Sequence, residues 1–473
     1  MDVVRRAGRA VLAMATSAAL VAGLLAASPG PARAADEPAE PALPIVFVHG
    51  FSGSGAQYET QALRWSSNDY PNVVTAIDRT SSSPAVIYPI LDNYFDDLMS
   101  QTGAPQIYVV GHSLGTAIMA GYLASSPARA ARVAKYIGID GLALPSCPGG
   151  VECMGIWARG STSRVLGQRN VYLSNQGHTE SVGSAASFAA QYEFFTGHAP
   201  TTTLVLPEPP GQVEISGRAL NFPDNTGTAG ATVQLWEVDA RTGLRRTSEP
   251  LAETVVDATG NFGPWPANGL QRHELTVIRL DDEGIERRQH FYYEPWTRDN
   301  HLIRLNLSPI GSPLSSAIET SDDAGGASIV RQKEWWAGNQ LGPDDRLRIA
   351  TSSARWGAQE PFDIVNQATT PFVGSTIAII TFDDGSDRVS HPDQLIPGLG
   401  AFLTGIDVWF PATTPPDGTV SFIHDQRNFT RQQVINTPNW ASSTDFMTVT
   451  YRDWVQDIET WPQCVKAKPS PCH

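Results

Sequence analysis

Between residues 44 and 198, short apolar runs alternate with longer stretches whose apolar positions recur every three or four residues, the pattern of a parallel sheet with crossover helices. The runs predict strands over 44–48, 73–77, 106–110, 134–139 and 170–174. The periodic stretches predict helices over 57–66, 85–100, 114–124 and 181–195. After Pro200 the texture changes. A Pro-rich linker over 204–210 leads into short alternating runs separated by Gly, Asp and Asn, at 212–216, 231–237, 275–280, 290–294 and 302–307. Such spacing predicts a β-sandwich of about 100 residues. A second all-β block is expected over 310–458, with strands at 347–350, 376–382, 406–410, 420–423 and 447–451. The expected fold class is therefore α/β, with a small and mostly parallel sheet, followed by all-β sandwich or barrel-like domains. Boundaries fall at 35–200, 201–308 and 309–460, with a Pro-rich tail over 461–473.

Charge and cysteines narrow the setting. Residues 1–34 carry a basic start (Arg5, Arg6, Arg9), an apolar run over 10–27 and a small-x-small site at Ala32-Arg33-Ala34, which predicts a cleaved export signal and a secreted protein. The alternative is a membrane anchor, but its many Ala and Gly residues make the run weakly hydrophobic, and no later stretch is long enough to span a bilayer. The chain has 33 basic and 48 acidic residues, a net charge of -15; without residues 1–34, which hold four Arg and one Asp, the balance is 29 against 47, or -18. Nucleic acid is thus not an expected partner, and any lipid contact should be apolar in origin. Cys147 and Cys153, and Cys464 and Cys472, form two close pairs with no His at finger-like spacing, so two local disulfides are expected rather than a metal site.

The chain holds one G-x-S-x-G, at Gly111-His112-Ser113-Leu114-Gly115, between an apolar strand and an Ala-rich helix. A sharp strand-to-helix turn presents such a serine above the sheet, with small residues two before and two after it. Upstream, Ile45-Val46-Phe47-Val48 runs into His49-Gly50-Phe51. Acyl transfer needs two backbone N–H groups aimed at the developing oxyanion, and Leu114 and Phe51 are the expected pair. His49 precedes the serine and is expected to fix its loop rather than act as base. In the order serine, acid, histidine, only Asp140 and Glu152 lie between Ser113 and His178. Asp140 ends a strand and is the expected acid, with Glu152, in the small Cys147–Cys153 loop, as the alternative. His178 is the expected base, in the loop before the last helix; His198, beyond that helix, is the competitor.

The motifs VHGF, GHSLG, GID and GHTE resemble those of α/β-hydrolase lipases. An acid directly after the strand that follows the nucleophile helix departs from the commonest layout of that fold. It is similar to pancreatic lipases and to an archaeal lipase type that carries an appended β-domain. The resemblance implies a serine carboxylic-ester hydrolase acting on lipid or another apolar ester, with acylglycerols the first expectation; no cofactor is expected and no metal-ligating residues are assigned. A polyester or short-chain esterase, whose β-modules adhere to a polymer, is the alternative enzyme; a binding protein on an inactive core is the non-enzymatic one. Residues 211–279 resemble carboxypeptidase-regulatory modules, through Gly230-Ala231-Thr232-Val233 and DATGNF at 257–262. Leu142, Leu144, Met154, Ile156 and Trp157 surround the Cys147–Cys153 loop and fit either a lid or rim, or a loop packed on the core. With no second catalytic motif, the β-half is expected to serve chain or interface binding.

Overall fold

Strands apolar at every position must be covered on both faces, and the first third of the chain is built that way. In the computed structural model, which describes residues 42–209, 213–336, 344–367, 376–391, 402–427 and 432–454, six parallel strands form one sheet. They are β1 Ile45–Val48, β2 Val74–Ile77, β3 Ile107–His112, β4 Val133–Ile139, β5 Glu152–Trp157 and β6 Arg169–Tyr172, in the spatial order β2-β1-β3-β4-β5-β6. Ile45 and Phe47 point to one face and pack with Trp65, Phe188 and Tyr192; Val46 and Val48 point to the other and pack with Ile87, Leu91 and Phe95. Helix α1 Glu59–Ser67 and the helix Ala185–Thr196 therefore cover the first face, and α2 Pro84–Thr102 and α3 Leu114–Ser125 the second. The strand order reverses between β1 and β3, and the crevice at their carboxyl ends is where open sheets of this kind gather ligands. Among the described residues no helix is long and apolar enough to cross a membrane.

Strand β5 was not foreseen. Its six residues begin inside the cysteine loop, yet Met154, Ile156 and Trp157 are fully buried between β4 and β6, so the core-packed reading of that stretch holds for these three. Leu142 stays exposed. Cys147 and Cys153 are joined by a disulfide that ties the loop after β4 to the start of β5. The expected signal segment and the pair Cys464 and Cys472 lie outside the described residues. The last helix is interrupted at Ser184, whose side chain caps the second part by accepting from the Ser187 N–H, leaving a short turn at Glu180–Gly183.

The β-half is larger and more continuous than the spacing of its runs indicates. It comprises β7 Val213–Asn221, β8 Thr226–Gly227, β9 Thr232–Val238, β10 Ala252–Val255, β11 Asn261–Ala267, β12 Arg272–Leu280, β13 Glu286–Tyr293 and β14 Asn300–Leu307. Then follow β15 Ala327–Val330, β16 Arg346–Ser353, β17 Gly357–Asp363, β18 Ala378–Phe382, β19 Leu403–Asp407, β20 Gly418–Asp425, β21 Gln432–Pro438 and β22 Asp445–Thr450. One eight-stranded sheet, ordered β10-β9-β12-β13-β22-β15-β18-β19, runs through both stretches. Its first end packs on the sheet β11-β7-β14 through Val233, Leu235, Leu275, Ile215 and Leu305, and its other end on β17-β16-β20-β21 through Ile329, Ile379, Leu347 and Phe422. The two sandwiches thus share a sheet, joined where β13 pairs in parallel with β22. A buried chain of hydrogen bonds crosses that seam, from Glu274 to His290 Nδ1 at 2.6 Å and from His290 Nε2 to Asp445 at 2.8 Å.

Candidate active site

Ser113 follows β3 with φ 51° and ψ -121°, a strained turn between the strand and α3. Its own N–H donates to Ile139 O at 3.0 Å, and its carbonyl accepts from the Thr116 N–H and hydroxyl, so the turn is fixed from both sides. Close approach explains the glycine at 115: a Cβ there would run into the carbonyl of Val48 on β1. Gly50 also lies against the serine, since a Cβ on it would sit 2.8 Å from Ser113 Cβ.

Asp140 follows β4, also at positive φ (40°). Its Oδ2 accepts from His178 Nδ1 at 2.6 Å, while Oδ1 accepts from the Ala158 N–H at 3.2 Å and the Ser161 hydroxyl at 3.0 Å. Burial alone would raise its pKa, but His178 and these donors outweigh it and hold the carboxyl below its ordinary value. A lone acceptor on His178 Nδ1 sets the tautomer in which Nε2 is free to take a proton. Glu152, by contrast, is exposed at the start of β5, and His198 is exposed with its Nδ1 on Ala199 O. The structure therefore brings together Asp140 and His178, as the order of residues in the chain suggests, and places both alternatives elsewhere.

The loop after β1 is held from within. His49 is buried, and burial, then Arg79, lower its pKa to about 4, so it is neutral near pH 7. Its Nε2 accepts from the Arg79 N–H at 3.1 Å, which leaves the proton on Nδ1 to donate to Gly50 O at 2.8 Å. The Arg79 guanidinium also donates to the carbonyls of His49 and Gly50. Because a trans peptide points its C=O and N–H in opposite directions, tying back Gly50 O aims the Phe51 N–H away from His49 and Arg79. Leu114 opens α3, where first-turn N–H groups have no helical partner. His112 is buried, its pKa lowered to about 3 by burial and then by His178, and it pairs through Nε2 with His178 O at 3.1 Å.

Several residues that shape the site carry no sequence signal. Ser161 belongs to a loop with no motif. Asn225, in the β7–β8 turn, donates to Gly53 O at 2.8 Å and Arg79 O at 3.2 Å. Asp78, after β2, accepts from the Gly55 N–H at 2.6 Å and pairs with Arg304 at 2.7 Å and Arg218 at 2.8 Å from the first sandwich. Glu334, from the second sandwich, accepts from the Thr179 and Glu180 N–H groups. The β-half is thus not remote from the site; it grips both of its loops. A cavity of about 580 Å3 lies beside the first loop, between Ser52 and Gly53 on one side and Phe222, Ile303, Ile380 and Phe402 of the β-half on the other.

Three sequence models match successive stretches: the α/β hydrolase fold over residues 44–164, a lipase C-terminal domain over 211–310, and a further C-terminal domain over 313–455. No curated protein matches the chain. Among solved structures, a Listeria innocua gene product is 14% identical, covering 34% of this chain and 96% of its own, with a TM-score of 0.27. A predicted CIB-like hydrolase from Thermoplasma acidophilum is 13% identical, covering 32% and 85%, with a TM-score of 0.26. A Bacillus licheniformis lipase in its propeptide form is 10% identical over 85% of this chain and 94% of its own, with a TM-score of 0.25. With their parallel sheet and the matching sequence model, residues 44–164 carry the α/β-hydrolase fold, and the chain continues into a lipase C-terminal domain and a further C-terminal β-domain.

Proposed function

We propose that the protein is a secreted serine hydrolase of carboxylic esters, acting on acylglycerols. The observation that carries this reading is the Asp140–His178 hydrogen bond of 2.6 Å at the carboxyl ends of the same sheet whose strand β3 presents Ser113 on its strained turn. In this reading Ser113 Oγ attacks the ester carbonyl while His178 Nε2 takes its proton. The carbonyl oxygen becomes an oxyanion stabilised by the Phe51 and Leu114 N–H groups. Collapse breaks the bond to the alcohol, which leaves with the proton from His178, and an acyl-Ser113 remains. Water then adds to the acyl carbon with His178 again as base, releasing the acid and restoring Ser113. Asp140 fixes the tautomer and stabilises the imidazolium; a neutral His112 beside it adds no competing charge. A preference for long acyl chains over a short-chain or polyester substrate rests on the cavity beside Ser52 and Gly53, where Phe222, Ile303, Ile380 and Phe402 form an apolar part of a wall that also carries charged side chains.

The basic and apolar pattern of residues 1–34 and the disulfide support export. Purified protein assayed on p-nitrophenyl esters from short to long chain, and on emulsified triacylglycerol, tests the substrate. Hydrolysis that rises toward long chains is expected. Activity confined to the shortest esters would move the reading to a short-chain esterase.

A further inference from the structure

The turn that carries His178 is anchored by a residue that lies far along the chain. Glu334 follows β15 in the second sandwich and is 0% exposed. Its Oε1 accepts from the Thr179 N–H at 2.5 Å and its Oε2 from the Glu180 N–H at 3.2 Å. These two donors open the short helical turn Glu180–Gly183; the next two N–H groups, of Ser181 and Val182, donate to Gly177 O and Thr179 O, and Thr179 makes no side-chain cap of its own. The approach is close enough that a Cβ on Gly177 would run into the Glu334 carboxyl group. Arg427, after β20, completes the clamp: it pairs with Glu180 Oε2 at 2.9 Å, donates to the Glu334 carbonyl, and is itself held by Asp345 at 3.2 Å. On the other side of the turn, His112 Nε2 and the Ser181 hydroxyl bond the His178 carbonyl, at 3.1 Å and 2.9 Å.

We propose that Glu334 is a positioning residue for the reaction: by capping the turn at Thr179 and Glu180 from another domain, it holds the His178 imidazole in register with Asp140 and Ser113. The proposal rests on the reading of His178 as the base. Asp140, itself held by Ala158 and Ser161, fixes the ring, and His112 and Ser181 hold the His178 carbonyl. Glu334 holds the two N–H groups that follow, and without it the backbone after His178 is left to shift the imidazole relative to the serine. Misplacement of a catalytic group by about 1 Å costs on the order of 100-fold in rate. A carboxylate accepts at both oxygens, whereas an amide accepts at one, so Gln in this place keeps only part of the cap.

The test uses the full-length protein and its Glu334→Gln and Glu334→Ala variants, with a soluble p-nitrophenyl butyrate assay, a thermal melt and the rate of fluorophosphonate labelling. For Glu334→Ala, kcat is expected to fall roughly 10- to 100-fold at near-constant KM, with labelling slowed in parallel; Glu334→Gln should recover part of that loss. A folded Glu334→Ala with kcat within about twofold of wild type, or a loss confined to KM, would overturn the proposal. Should the Ala variant not fold, the near-isosteric Gln variant decides: lowered kcat at unchanged KM supports the positioning role, and unchanged kcat refutes it. A wild-type protein that neither hydrolyses the ester nor labels overturns the underlying reading itself.

Discussion

At the scale of single residues, the site divides into groups found by motif and order and groups found only in space. Ser113, His178 and Asp140 stand in an order that leaves two candidate acids, and the structure separates them: Asp140 bonds His178 at 2.6 Å while Glu152 is exposed at the start of β5. Asp140→Asn is accordingly expected to lower kcat by about 10⁴, because an amide favours the wrong histidine tautomer, while Glu152→Gln should leave kcat nearly unchanged. Steady-state kinetics on one soluble ester checks the ranking, and the reverse order would move the role to Glu152. Ser161, Asn225 and Glu334 were not legible. Their work is done by one hydrogen bond or two to distant residues, and a lone Ser, Asn or Glu in a loop looks like any solvated polar residue until its partner is known.

Among elements, the central strands β1, β3 and β4 and the long helices of the hydrolase sheet were legible because the strands are buried on both faces and the helices are rich in apolar residues, whereas β6, Arg-Asn-Val-Tyr, is only half-buried. β5 was missed for a physical reason: its short run ECMGIW begins inside the cysteine loop at an exposed Glu152 and is interrupted by Gly155, so it reads as part of that loop until β4 and β6 are seen to bury it. The join between the sheet and the first sandwich was equally hidden, since it rests on Asp78 held between Arg304 and Arg218. Asp78 is buried, which alone would raise its pKa, yet the two arginines, with Arg304 the stronger, and the Gly55 N–H hold it below the ordinary carboxylate value. A depressed folded pKa contributes stability that is present above the unfolded value of about 4 and is lost as pH falls through the folded one. Asp78→Asn should therefore cost about 3–5 kcal/mol near pH 7 by leaving two cations without their carboxylate. Its urea-unfolding free energy should also fall less steeply than that of wild type below about pH 4. Parallel pH curves for the two proteins would show that the pair does not support the fold in this way.

Across the whole molecule, the sequence divides the chain after Pro200 by texture, and the structure keeps that division of secondary structure while joining the parts. The shared eight-stranded sheet depends on a parallel pairing between β13 and β22, residues 286–293 with 445–450, which no local spacing announces. Both β-stretches reach back to the crevice, Asn225 to Gly53 after β1 and Arg79 after β2, and Glu334 to the turn of His178, and both line the cavity beside the loop of Gly53. In the proposed function, this assembly presents Ser113 as a nucleophile. Incubating the purified full-length protein with a fluorophosphonate and locating the adduct by peptide mass spectrometry tests it most directly. One adduct per chain is expected, on Ser113, with hydrolysis lost in step and no adduct on a folded Ser113→Ala variant. No adduct on an ester-hydrolysing wild type, or an adduct on another residue, would contradict it.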